Sequence, residues 1–156
     1  MATGVVKWLF LIGLTVWLGG MLFFSVVVAP LLFRTLPVAQ AGMAVGAIFP
    51  WYYTVGYVCE GLVVATSVVL AVVTRGSRRW VGVAVVAAAT LGATLYAGLA
   101  IQPRAAALRP GLHAPDVSPA VRMEFDRLHR SAVQLNGAVL LGGLGISVLA
   151  AGALRP

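Results

Sequence analysis

The chain has 156 residues, 61% of them hydrophobic and only 10% charged, whereas a water-soluble domain carries about 25% charged residues. That excludes a soluble globular domain and points to an integral membrane protein. The net charge of +7 does not indicate nucleic acid. The cations stand singly or in short groups at helix ends, where they anchor to lipid headgroups.

Four stretches reach the roughly 20 apolar residues that a membrane-crossing helix needs. The first covers 5–29. Its apolar run from Trp8 to Ala29 exceeds the roughly 7–15 residues of a signal-peptide core, so it is expected to be a retained helix. The linker 30–50 lies between Pro30 and Pro50. Within it, Thr35–Leu36–Pro37 reads as a helix start and 38–49 as a short interfacial helix. The second span is 51–73, with Phe49, Trp51, Tyr52 and Tyr53 as an aromatic belt at its start. A short basic turn, "RGSRR", leads to the third span at 81–101. The segment "IQPRAAALRPGLHAPDVSP" then contains several prolines, and irregular surface structure is expected up to Ser118. There a cap followed by proline opens the last helix. The stripe Val121, Phe125, Leu128, Ala132, Leu135 has helical spacing. It predicts an extension at 118–131 that runs straight into the fourth span at 132–153.

The expected fold is therefore an all-α integral membrane protein: one domain, 1–156, a four-transmembrane-helix bundle whose fourth helix projects beyond the membrane. Both termini share one side, A, with Lys7, Arg75, Arg78, Arg79 and Arg155, and with Trp8 and Trp80 as interface anchors. Side B carries Arg34, Arg104, Arg109, Arg122, Arg127 and Arg130. Because short basic loops resist translocation, the 75–79 turn and the termini are expected to be cytoplasmic in a multi-pass cell-membrane protein. Lys7 is the only lysine; with so much Ala, Val, Gly and Pro, this suggests a GC-rich bacterial gene. Small residues recur every fourth position at Ala89, Ala93, Ala97 and at Gly143, Ser147, Ala151, as membrane helices use for close packing.

One residue interrupts the apolar pattern. Glu60 stands about nine residues into its span, roughly 14 Å deep at 1.5 Å per residue, near the midplane. A charge there costs several kcal/mol, so the carboxyl is expected to face the bundle in its neutral form. At the same depth lie Gly19–Gly20, Gly92–Thr94 and Gly142–Gly143, and the acid is expected to donate a hydrogen bond near Gly92–Thr94. No second acid or lysine occurs in a span core to make a proton relay, so packing is the preferred reading of Glu60.

A second group gathers on side B. His129 and Asn136, seven residues apart, share a helix face, while Arg34, Tyr53, Gln102 and Arg104 come from the other helix ends. Together they would hold an anion, a lipid headgroup or a small polar ligand, unless they only cap helix ends. His113 and His129, the only histidines, both lie in one side B segment, whereas a bis-histidine haem needs ligands on different spans. Cys59, the only cysteine, is too deep to join them in a zinc site and leaves no disulfide framework. No cofactor, metal or catalytic constellation is expected.

The motifs "WLGGMLFFSVVVAPLLFRTLP", "AGMAVGAIFPWYYTVGYVC" and "FDRLHRSAVQLNG" resemble the four-helix membrane proteins grouped with transmembrane protein 205, whose bacterial members are filed as a domain of unknown function. The resemblance covers nearly the whole chain. Its pattern falls on Trp17, Gly19, Gly20, Phe24, Pro30, Phe33, Gly42, Gly46, Phe49, Tyr53, Gly56, His129, Ser131 and Asn136; Glu60 stands outside it. It implies a four-helix fold and no defined activity.

These readings make a binding or transport-accessory protein for a small polar or metal-containing ligand the first expectation. A structural subunit of a larger membrane complex is the alternative, and a haem or redox protein ranks below both. The expected partners are the bilayer and a homo-oligomer or larger membrane complex.

Overall fold

The computed structural model describes residues 2–112 and 116–154; of the groups singled out above, His113 and Arg155 lie outside them. Six α-helices make four long rods. Helix α1 (Ala2–Phe23) passes through a π-helical turn, Phe24–Val28, into α2 (Ala29–Thr35). Helix α3 (Val38–Val73) is unbroken. Helix α4 (Arg78–Tyr96) passes through a second π-helical turn, Ala97–Ile101, into α5 (Gln102–Leu112), and α6 (Pro119–Leu154) completes the chain. The rods are 33 to 36 residues long, and each is long and apolar enough to cross a membrane. Among the described residues there is no strand. The protein is an all-α, multi-pass membrane protein.

The rods run up and down in chain order. Helix α3 packs most extensively on α4 and on α1, α4 packs on α6, and α6 touches α1 lightly. The turn between α3 and α4 is closed by backbone. Gly76 takes a left-handed φ of 79°, which glycine adopts without a Cβ penalty, and its N–H donates to the Ala71 carbonyl at 2.8 Å. Arg75 is also left-handed, at φ 55°. It is the one described non-glycine residue in that region.

Two expectations about the linkers need correction. The stretch 38–49 is helical but is not a separate interfacial element, because α3 runs straight through Pro50. The break lies earlier, at Leu36, which is extended (φ −116°, ψ 153°), as sterics require of a residue before proline. Membrane helices accommodate an internal proline when neighbouring groups cover the freed backbone. The carbonyl that Pro50 deprives of its N–H is that of Gly46, and the Arg109 guanidinium lies against this residue.

The segment after the third span is likewise helical, not irregular, over Gln102–Leu112. Each π-helical turn ends just before a proline, Pro30 or Pro103. The N–H of the residue before that proline reaches back five positions, Ala29 to Phe24 and Gln102 to Ala97. In both rods the widened turn comes just before the proline, and the helix continues past a residue that would otherwise kink or break it.

The core is densest toward side A. Phe10 and Trp80 meet edge to face at 5.2 Å and 89°, and both are fully buried. Trp80 is thus a core residue and not an interface anchor; Trp8, 63% exposed, keeps that position. The hydroxyls of Thr66, Ser67, Thr90 and Ser147 donate to carbonyls of their own helices, which leaves no free O–H for lipid to solvate. The small-residue rows also shift. The inward face of α6 is Val139, Gly143, Ile146 and Ala150, while Ala89 and Ala151 are exposed.

Candidate functional site

Two polar regions stand out among the described residues, one buried in the bundle and one half-buried at its side B end. The deeper one centres on Glu60, which is 1% exposed. Thr94 Oγ1 donates to Glu60 Oε1 at 2.7 Å. The link to α4 is where the depth count put it, but its direction is reversed, with the hydroxyl as donor and the carboxyl as acceptor. Gly56 lets the two helices meet there, since a Cβ on it would touch Thr94 and Glu60 Oε1 at 3.5 and 3.8 Å. The other glycines at this level do different work. Gly19, Gly20 and Gly92 open outward, whereas Gly142 and Gly143 receive Thr90 and Leu18. Glu60 Oε2 has no hydrogen-bond partner, and neither does buried Trp17 Nε1. Thr90, the other hydroxyl beside the carboxyl, donates to the Ala87 carbonyl at 2.9 Å.

The second region lies at the side B ends of α3, α5 and α6, around a cavity of about 60 Å³. Tyr53, Gln102 and His129, three of the six side B residues singled out from sequence, line it. Arg34 and Arg104 do not; both are exposed. Asn136 sits one layer deeper, where it accepts from Tyr52 Oη at 2.7 Å and donates to Ser25 Oγ at 3.3 Å. It therefore ties α3 and α6 to the first π-helical turn and is a structural link more than a ligand-facing group. His129 is exposed and stacks on Phe125, with ring centroids 6.1 Å apart and planes 5° apart.

The residue missed from sequence is Arg109. It lines the same cavity and holds its guanidinium 5.9 Å from the centroid of the Phe49 ring, a cation–π geometry. Its signal was the spacing Gln102, Ala105, Arg109 along one helical face. Pro103 and Pro110 hid it by making the segment read as a loop. Among the described residues the one ion pair is Arg127–Glu124, at 2.8 Å on the exposed face of α6. Arg109 thus faces the cavity as a cation with no carboxylate against it.

No curated protein and no solved structure matches the chain. Residues 12–113 match the family described as "Domain of unknown function (DUF4149)", and the chain belongs to that family.

Proposed function

We propose that the protein is a membrane-embedded binding protein, a transport accessory, whose side B cavity takes a small polar anion. The observation that carries this is the unpaired Arg109 guanidinium, since guanidinium stays charged when partly desolvated and matches oxyanions in geometry. Tyr53, Gln102 and His129 add further donors around it. A metal would arrive as an anionic complex, because among the described residues no three of His, Cys, Asp and Glu come together. The expected result is that inorganic phosphate raises the unfolding temperature of the purified protein in nanodiscs. Saturation at a hundred times Kd corresponds to about 2.7 kcal/mol. Arg109→Gln should abolish the shift and Arg109→Lys should keep part of it. An equal response from wild type and Arg109→Gln would refute the cavity as the site.

The finer family placement we propose is the transmembrane protein 205 group, which carries a four-helix fold and no defined activity. It adds Trp17, Gly19, Gly20 and the Leu128–His129–x–Ser131 segment as shared features. A second reading, a subunit of a larger complex, is favoured by Gly19, Gly20, Gly92 and Gly145, which have open space around them and offer narrow faces to another helix. Copurification of a stoichiometric partner would establish it.

In the proposed orientation the 75–79 turn and the termini are cytoplasmic in the cell membrane. In a Cys59→Ala background, cysteines at Ser77 and Asp116 should label with an impermeant maleimide from opposite sides of sealed vesicles. Labelling of both from one side would defeat the arrangement.

A further inference from the structure

A groove of about 380 Å³ between α1 and α3 is larger than the side B pocket. Its mouth is formed by Val16, Gly20, Phe23, Trp51 and Val55, all exposed on the surface that faces lipid, and its floor by Trp17, Glu60 and Thr94, all buried. From Ile48 to Glu60 it follows α3 for about 18 Å at 1.5 Å per residue. Its lining is almost wholly apolar, and at its deep end stand Trp17 and Glu60, whose Nε1 and Oε2 are the buried side-chain polar atoms without a partner among the described residues.

Their chemistry defines what fits. Trp17 Nε1 is a donor only. Among the described residues Glu60 meets no cation in an ion pair, and an unpaired charge at this depth is costly, so the carboxyl is neutral. Because Oε1 accepts from Thr94, the proton stands on Oε2. The two residues at the end of the groove therefore each carry a buried donor without a partner. Leaving them so costs free energy that an acceptor would recover. A phospholipid is the wrong way round, since its ester carbonyls and headgroup sit at the interface while its chains reach the midplane.

We propose that this groove binds a neutral, membrane-dissolved molecule with carbonyl acceptors on an apolar body, of the class of lipid-soluble quinones. The ring carbonyls take the Trp17 Nε1–H and the Glu60 O–H, so the ring stands at the deep end between Gly20 and Gly56, and its apolar tail runs out past Phe23, Phe24 and Trp51. The site is separate from the side B cavity and does not depend on its reading.

The test uses the full chain in phosphatidylcholine nanodiscs, with bound ligand counted by native mass spectrometry during titration with 2-decyl-1,4-benzoquinone or with decylbenzene. Wild type should bind one quinone saturably and should not retain decylbenzene. Trp17→Phe and Glu60→Leu should each weaken quinone binding about fivefold, the value of one hydrogen bond. Gly20→Leu fills the mouth, where a Cβ meets nothing within 4 Å, and should abolish binding while the protein stays folded. Non-saturable uptake, equal retention of decylbenzene, or quinone binding by Gly20→Leu equal to wild type would each overturn the proposal. So would wild-type affinity in both donor variants, which would mean that a buried water satisfies the donors. If Trp17→Phe does not fold, Gly20→Leu and Glu60→Leu decide.

Discussion

Glutamine at position 60 will leave the protein folded, alanine will weaken it, and lysine will prevent its assembly. The side chain is 1% exposed, and its one hydrogen bond is accepted from Thr94 at 2.7 Å. Glutamine keeps the shape and the accepting oxygen. Alanine removes the acceptor and leaves the Thr94 hydroxyl without it beside a small void, which costs about 1–3 kcal/mol. Lysine puts a cation near the midplane, about 2.5–3.5 kcal/mol on insertion scales, where the described residues place no carboxylate to pair with it. Thermal unfolding in detergent of Glu60→Gln, Glu60→Ala and Glu60→Lys would rank them. Infrared absorption should show a protonated carboxyl band at pH 7 that Glu60→Gln removes. A carboxylate band at pH 7, or glutamine destabilising as much as alanine, would mean that Glu60 is charged and is stabilised by a cation or a water path.

What could be read from sequence and what could not divide along physical lines. The four spans are visible because hydrophobicity over about 20 residues is a strong, additive signal. Glu60 stands out because nothing around it is polar. Depth counting along the helices was enough to bring it to Thr94. Direction and rotation were harder. Trp80 looks like an interface anchor because it follows three cations, yet the helical rotation set by Val83 and Ala87 turns it onto Phe10. Proline was the main source of error. Pro50, Pro103 and Pro110 read as punctuation by their local chemistry, but helix runs through all three, with a π-helical turn before Pro103 and the Arg109 guanidinium packed against Gly46, one turn before Pro50. Once 102–112 is helical, Arg109 comes round to the face of Gln102, and the side B cavity gains the cation that Arg34 and Arg104 were expected to supply. The groove at Trp17 had no sequence signal at all. A cavity is a property of how α1 and α3 diverge, and Phe23, Phe24 and Trp51 read equally well as membrane-facing aromatics.

The same contrast between position and burial gives the largest expected loss of stability from a core substitution. Trp8 and Trp80 both sit near the side A ends of their helices, and both follow basic residues. Trp80 is 1% exposed and meets Phe10 edge to face, whereas Trp8 is 63% exposed. Truncating a fully buried tryptophan to alanine costs about 3–5 kcal/mol, because the contacts are lost and the cavity collapses only in part. The aromatic pair itself is worth about 0.5–1.5 kcal/mol of that. Trp8→Ala removes surface that faces the bilayer in the folded and the inserted-but-unpacked states alike, so its effect should stay within about 0.5 kcal/mol. Trp80→Phe should fall between, since it keeps a ring for Phe10 but leaves part of the volume empty. Denaturant unfolding of the three variants in bicelles, followed by helical circular dichroism and by the emission of the remaining tryptophans, measures all three differences. Equal losses for Trp8→Ala and Trp80→Ala would mean that the Phe10–Trp80 contact does not hold α1 to α4, and the side A half of the bundle would then have to be held by the glycine contacts of α6 instead.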